Sequence, residues 1–178
     1  MKKILSLLSA ALFIFCMTSC SSSDGEETTD NQALNETAPV VSLLAEKQSV
    51  KAGDTVEVTI NIKNSPYTAC FDIFVVSDEL FVYENSDVYS NGMVLETNYD
   101  DTPGGSFVIN GFVVETVNLE DADICTVTYT VSEQAKAGDI INVMLSVPSF
   151  QVGIDESGND VLDVEASLIL NNLVFTVE

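Results

Sequence analysis

Between Thr55 and Lys63 the chain reads Thr-Val-Glu-Val-Thr-Ile-Asn-Ile-Lys, apolar at every second position. A period of two belongs to a strand with one buried face and one wet face, so Val56, Val58, Ile60 and Ile62 are expected to line a core that other strands must complete. Just before this strand stands Lys51-Ala-Gly-Asp54, and the same unit recurs as Lys136-Ala-Gly-Asp139 ahead of Ile-Ile-Asn-Val-Met-Leu-Ser-Val147. In each copy the glycine supplies the backbone freedom of a tight turn. Asp54 and Asp139 are expected to bond neighbouring amides and close it.

Further short apolar or alternating runs occupy residues 40–45, 70–77, 80–83, 93–97, 107–114, 124–131, 165–170 and 173–177, beside the two strands of the repeat at 55–63 and 140–147. Turn-rich pieces separate them: Asn64-Ser-Pro66, Asn91-Gly92, the Asp100-Asp101 loop, Pro148-Ser149 and Asp155-Glu-Ser-Gly-Asn-Asp160. Many short strands between such turns predict an all-β chain, an antiparallel β-sandwich with jelly-roll topology and about nine strands. One short helical turn is expected within 131–137.

At the other end of the chain, Lys2 and Lys3 precede an apolar run ending in Cys16-Met-Thr-Ser-Cys20, the pattern of an export signal and too short for a membrane span. Met17-Thr-Ser-Cys20 resembles the lipobox of bacterial lipoproteins, which implies cleavage before Cys20 and lipidation of that residue. Residues 1–19 are then a signal peptide, 20–38 an acidic flexible linker, and 39–178 one sandwich domain. Ser21-Ser-Ser-Asp-Gly-Glu-Glu27 also resembles the surface-export signal of some bacterial lipoproteins, which implies a lipid-anchored domain at the cell surface. An ordinary cleaved secretory signal is the alternative.

All 28 acids follow Cys20, against four of the six lysines, and the chain has neither Arg nor His. Nucleic acid and anionic membrane faces are thereby excluded as partners, because nothing is present to neutralise phosphates. Contact with the membrane is expected only through the lipid. Two cysteines remain in the folded part. In 70–76, Phe71, Ile73 and Val75 share one face, and Cys70, Asp72, Phe74 and Val76 the other; in 124–131, Cys125 lies with Val127, Tyr129 and Val131 on the more apolar side. The thiols therefore point to opposite sides of their sheet, and no disulfide is expected.

Three stretches carry a family pattern: Ala52 through Asn64 as an early strand; 69–76 leading to Asp78 and Leu80-Phe-Val82; and 124–131 followed by 135–140. Leu173-Val-Phe-Thr-Val177 stands as a closing strand. From about residue 38 onward the chain resembles a cohesin module, the nine-stranded jelly roll with which bacterial scaffoldins hold dockerin-bearing enzymes. The resemblance implies a non-catalytic protein-binding module for polysaccharide-degrading or surface assembly. Dockerin helices would lie on a sheet face that includes 70–76, with Asp72 where the family commonly places an acidic or amide contact.

Without His or Arg, acid–base work near neutral pH and oxyanion stabilisation lack their usual groups, so no catalytic residue is expected. Oxygen-bearing side chains at Asp155, Asn159, Asp160 and Asp163 surround a glycine as hard-cation loops do, but without EF-hand spacing; solvated hairpin loops are favoured over calcium, and no cofactor is expected. The best prospect is a partner-binding face. If Phe71, Ile73 and Val75 fill the core, Phe74 and Val76 face outward beside Asp72, the mark of an interaction surface or of a second small core under a loop. Phe107, Ile109 and Gly111 are expected on a neighbouring strand, Gly111 at a bulge or close approach. A basic or amphipathic helix would suit such a face. A carbohydrate-binding module is the alternative, with Tyr67, Tyr83, Tyr89 and Tyr99 standing in for the absent Trp. A structural or adhesion domain is a third reading.

Overall fold

The two repeated turns are built alike. The Lys51 amide donates to Asp54 Oδ2 (3.0 Å) and the Lys136 amide to Asp139 Oδ2 (2.8 Å), while Asp54 N and Asp139 N return to the Lys51 and Lys136 carbonyls at 3.0 and 2.9 Å. Gly53 and Gly138 carry φ of 81° and 95°, the third-residue conformation of a type II turn. Each turn also pins the end of another strand: Gly53 N donates to Val131 O (2.9 Å) and Gly138 N to Val177 O (2.8 Å).

These features come from a computed structural model, which describes residues 38–100, 105–152 and 168–178. The elements are β1 (Val40–Leu44), β2 (Ser49–Val50), β3 (Thr55–Ser77), β4 (Phe81–Val88), β5 (Val94–Tyr99), β6 (Ser106–Val131), β7 (Ile140–Val152), β8 (Ile169–Asn171) and β9 (Leu173–Val177). No helix occurs among the described residues. The helical turn expected within 131–137 is instead a tight turn, Ala135 N donating to Ser132 O at 3.0 Å, followed by the second repeated turn.

Strand registers resolve the continuous sheet into two layers. In the first, β8, β1, residues 55–63 of β3, residues 121–131 of β6 and β4 lie side by side. In the second the order is β2, β9, β7, residues 68–77 of β3, residues 106–112 of β6 and β5. Thus β3 and β6 belong to both. Each had been expected as two separate strands, but Asn64-Ser-Pro66 does not end the pairing. Asn64 takes the left-handed φ of 56°, the register with β6 shifts between Ser65 and Cys70, and the strand bends from one layer into the other. Pro148-Ser149, expected as a turn, is likewise inside a strand: Asp72 pairs with Ser149 but Phe74 with Ser146, a bulge that accommodates the proline's missing N–H.

Two pairings are parallel rather than antiparallel, β1 with β8 and β2 with β9. The first and last strand runs therefore lie alongside each other in both layers. The switch at the C-terminal end is a single residue, Asn172, whose Oδ1 accepts the Leu145 amide at 2.7 Å. β4 runs five residues past the expected 80–83, because Glu84-Asn-Ser-Asp87 has no apolar alternation yet pairs with β6. Polar side chains are what an edge strand needs to avoid pairing with other chains. The strand expected at 165–170 is described only from residue 168 onward, and there β8 spans Ile169–Asn171, one residue past the expected end.

Apolar side chains of both layers meet in one core. Phe81 of the first layer packs edge-on against Phe175 of the second (5.1 Å between centroids), and Tyr83 stacks on Tyr99 at 4.0 Å. Val56, Val58, Ile60 and Ile62 are all buried, as their alternation predicts. One bulge breaks parity. Ile60 pairs with Cys125 and Asn61 with Asp123, leaving Ile124 as an extra residue, so Ile124 and Cys125 are both buried although they are adjacent.

Candidate functional site

The outer side of the second layer is where the expected contact residues stand. Phe71, Ile73 and Val75 are buried in the core, which turns Asp72, Phe74 and Val76 outward, each partly exposed. Neighbouring strands extend this surface in rows that follow the registers. Val94 on β5, Phe112 on β6, Cys70 on β3 and Gln151 on β7 form one row. Next come Glu96, Asn110, Asp72 and Ser149, and then Asn98, Val108, Phe74 and Ser146. Beyond them Val76 lies opposite Met144. Large apolar groups are left open to water here: Phe112 is 45 % exposed, Val94 52 % and Met144 50 %.

The middle row is polar and anionic. Asn110 Nδ2 donates to Asp72 Oδ1 at 2.5 Å, which fixes that carboxylate on the sheet. No lysine lies in the strand segments that make this face, residues 68–77 of β3, 94–99 of β5, 106–112 of β6 and 140–152 of β7. Beneath the row, Gly111 sits opposite Phe71, and a Cβ on it would come within 2.5 Å of the Phe71 ring. The expected close approach at Gly111 is therefore a ring laid over bare backbone, with a neighbouring Phe150 ring 6.1 Å away.

The outer side of the first layer differs in chemistry. Thr55, Glu57 and Thr59 of β3 pair with Thr130, Thr128 and Thr126 of β6, and the Thr59 and Thr126 hydroxyls share a hydrogen bond of 2.9 Å. At its end Asn61 donates to Asp121 (3.1 Å) and Asp123 (2.8 Å), and Lys63 Nζ to Asp121 (3.2 Å). The Asn61 amide first, and Lys63 second, hold the Asp121 carboxyl below its ordinary value. The central strands of this side thus present threonines and matched acids, which offer a partner little that water does not already satisfy, while its exposed apolar groups, Leu44 and Val82, stand on the flanking strands β1 and β4.

The remaining expected residues disperse. Tyr83 and Tyr99 stack on each other, whereas Tyr89 is exposed and donates to Thr126 in the first layer, so these tyrosines form no common platform. Cys70 is on the outer face, its thiol donating to Gln151 at 3.3 Å, and Cys125 is in the core; neither is joined in a disulfide. Burial, with Asp87 nearby, pushes the Cys125 thiol up to about 12. Cys20 and the loop of Asp155, Asn159, Asp160 and Asp163 lie outside the described residues, as does Asp101. Among the described residues no group of three or more Cys, Asp or Glu side chains is placed to hold a metal ion.

Sequence reasoning missed Phe112, Val108, Val94, Glu96, Asn110 and Met144. Parity alone marks Val108, Asn110 and Phe112 as opposite in sense to Phe107, Ile109 and Gly111. What parity lacks is the pairing that lays them beside Asp72 and Phe74.

Comparison with known proteins bears on the whole domain. No curated protein matches the chain in sequence. Among solved structures, the third cohesin of ScaC from Acetivibrio cellulolyticus, determined in complex with the ScaB dockerin, superposes with a TM-score of 0.61 at 20 % identity, over 78 % of this chain and 98 % of that one. A type III cohesin from the cell-surface anchoring scaffoldin ScaE of Ruminococcus flavefaciens gives 0.60 at 13 % identity, covering 80 % and 88 %. The non-cellulosomal cohesin of Archaeoglobus fulgidus gives 0.56 at 13 %, covering 79 % and 91 %. At such identities the likeness concerns the fold. The family model for the cohesin domain matches residues 41–168, most of the chain, and the protein accordingly belongs to the cohesin-domain family.

Proposed function

We propose that this chain is a non-catalytic module that holds a protein partner of the dockerin class against the outer face of its second layer, through Phe74, Val76 and Asp72 together with Phe112 and Val108. The observation that carries the reading is the asymmetry of the two layers. Where β3 and β6 run side by side, one outer side is a hydroxyl ladder with its exposed apolar groups, Leu44 and Val82, on the flanking strands, and the other sets Phe74, Val76, Val108 and Phe112 on β3 and β6 themselves around an anionic row. Apolar surface ringed by polar groups is retained where another molecule covers it. Family membership and the dockerin complex of the ScaC cohesin supply the partner class. The absence of His and Arg from the chain accords with binding rather than chemistry.

The same proposal places the module outside the cell, its domain at 39–178 carried by the acidic linker 20–38 on a lipid at Cys20 after loss of residues 1–19. Mass spectrometry of the mature N-terminus tests that part: a diacylated Cys20 is expected, and an unmodified N-terminus beyond Cys20 overturns it.

For the binding itself, purified dockerin modules are immobilised and titrated with the chain, with and without calcium, beside a polysaccharide control. At least one dockerin is expected to bind, with Phe74→Ser and Phe112→Ser each weakening it about tenfold or more and Thr128→Ala on the other layer neutral. Binding that ignores both phenylalanines, or retention on polysaccharide alone, overturns the reading.

A further inference from the structure

We infer that Tyr83 and Tyr99 form an oxidative cross-linking site, at which a diffusible one-electron oxidant joins the two stacked rings into dityrosine. The site is separate from the docking face and needs no partner protein.

Strand order brings the pair together. Beyond β6 each layer ends in an edge strand, β4 in the first and β5 in the second, and among the described residues neither pairs with any strand but β6. The chain passes from one to the other through residues 89–93, so β4 and β5 are the two limbs of an arch. Tyr83 stands near the start of β4 and Tyr99 at the end of β5, at the two feet of that arch. Their rings stack with centroids 4.0 Å apart and planes 17° from parallel. Both pack against the rim of the core and are partly exposed, so a small oxidant in solution can reach them.

The stack has the geometry that phenol coupling requires. Loss of one electron and one proton from each phenol gives two phenoxyl radicals, with unpaired spin on the oxygen and on the ring carbons beside it, Cε1 and Cε2. A carbon–carbon bond between two such carbons forms through the ring faces, which here already lie against each other, so the coupling is a step within one molecule. The hydrogen on each joined carbon then moves to the oxygen of its own ring and restores both aromatic systems. In sum, two phenols become one biphenol, two protons pass to water and two electrons to the oxidant.

The other tyrosines are placed differently. Tyr129 is fully buried, away from any oxidant and from water that could take its proton. Tyr89 is exposed on the outer side of the first layer, its hydroxyl on Thr126, and coupling there calls for a second molecule. Chains with 28 acids and six lysines repel one another. Coupling at the stack closes the arch into a covalent loop and ties the edge of one layer to the edge of the other. That restrains the unfolded chain as a disulfide would, in a molecule whose Cys70 and Cys125 are not joined.

The test is photochemical oxidation of the full chain in dilute solution by a ruthenium(III) trisbipyridyl complex, generated in light from the ruthenium(II) complex and persulfate. A Cys70→Ser background removes a competing thiol. The expected product is a monomer lighter by two hydrogens, with dityrosine fluorescence and, after digestion, a pair of peptides joined at Tyr83 and Tyr99. Its Tm should exceed that of the untreated protein by about 5–10 °C. Tyr83→Phe and Tyr99→Phe should each abolish this product, since a phenyl ring yields no phenoxyl radical, and Tyr89→Phe should leave it. Links found only between molecules or only through Tyr67 or Tyr89, an internal link that survives Tyr83→Phe, or no dityrosine where free tyrosine couples in the same light, overturn the inference and leave the docking face standing.

Discussion

At the scale of single residues, the outward sense of Asp72, Phe74 and Val76 was legible because strand parity needs only local geometry. What parity could not show is why Gly111 is glycine. The Phe71 ring occupies the place of its side chain, with ring atoms at 2.5 and 2.8 Å from an ideal Cβ. Gly111→Ala must displace a buried ring in a packed layer, and should cost about 1–3 kcal/mol in urea unfolding, with Gly111→Ala in a Phe71→Leu background costing less. Asp121 provides a pH-dependent counterpart. Its folded pKa lies below the ordinary 3.8, so the stability it contributes is present above that value and is lost as pH falls through the folded pKa. Asp121→Asn should lower Tm at pH 7, and the gap to the unaltered protein should close below about pH 4.

Among the elements, the repeated turn was the most fully legible, since glycine and aspartate act within four residues and need no tertiary partner. Removing the carboxylate removes one hydrogen bond to an amide in each copy, so Asp54→Ala and Asp139→Ala should each cost about 1 kcal/mol by denaturant unfolding. Asp54 also pairs with Lys47 at 3.5 Å, an exposed contact that adds little. A much larger loss at Asp54 than at Asp139 would contradict the equivalence of the turns. The long strands were not legible. Asn64-Ser-Pro66 and Pro148-Ser149 carry strong turn signals, and only pairing with β6 and β7 shows that they bend a strand instead of ending it. Of β4 the start at 81–83 was legible and the rest was hidden for the opposite reason: residues 84–87 are too polar to read as strand.

For the molecule as a whole, β3 and β6 being shared by both layers means that neither layer can come apart alone. Phe81→Ala in the first layer and Phe150→Ala in the second, each removing a buried ring, should lower stability by about 3–5 kcal/mol. Both should leave one cooperative transition monitored by circular dichroism and tyrosine fluorescence; a biphasic melt in either would show that the layers unfold separately. What the sequence determined by itself was everything carried by near neighbours: strand period, turn chemistry, the acidic and Arg-free surface, and which side chains of a given strand share a face. Only the tertiary structure decided which strands lie beside one another, because that choice is made by contacts between residues far apart in the chain. The row of Glu96, Asn110 and Asp72 exists through that choice alone, drawn from three strands into one line by hydrogen-bond register.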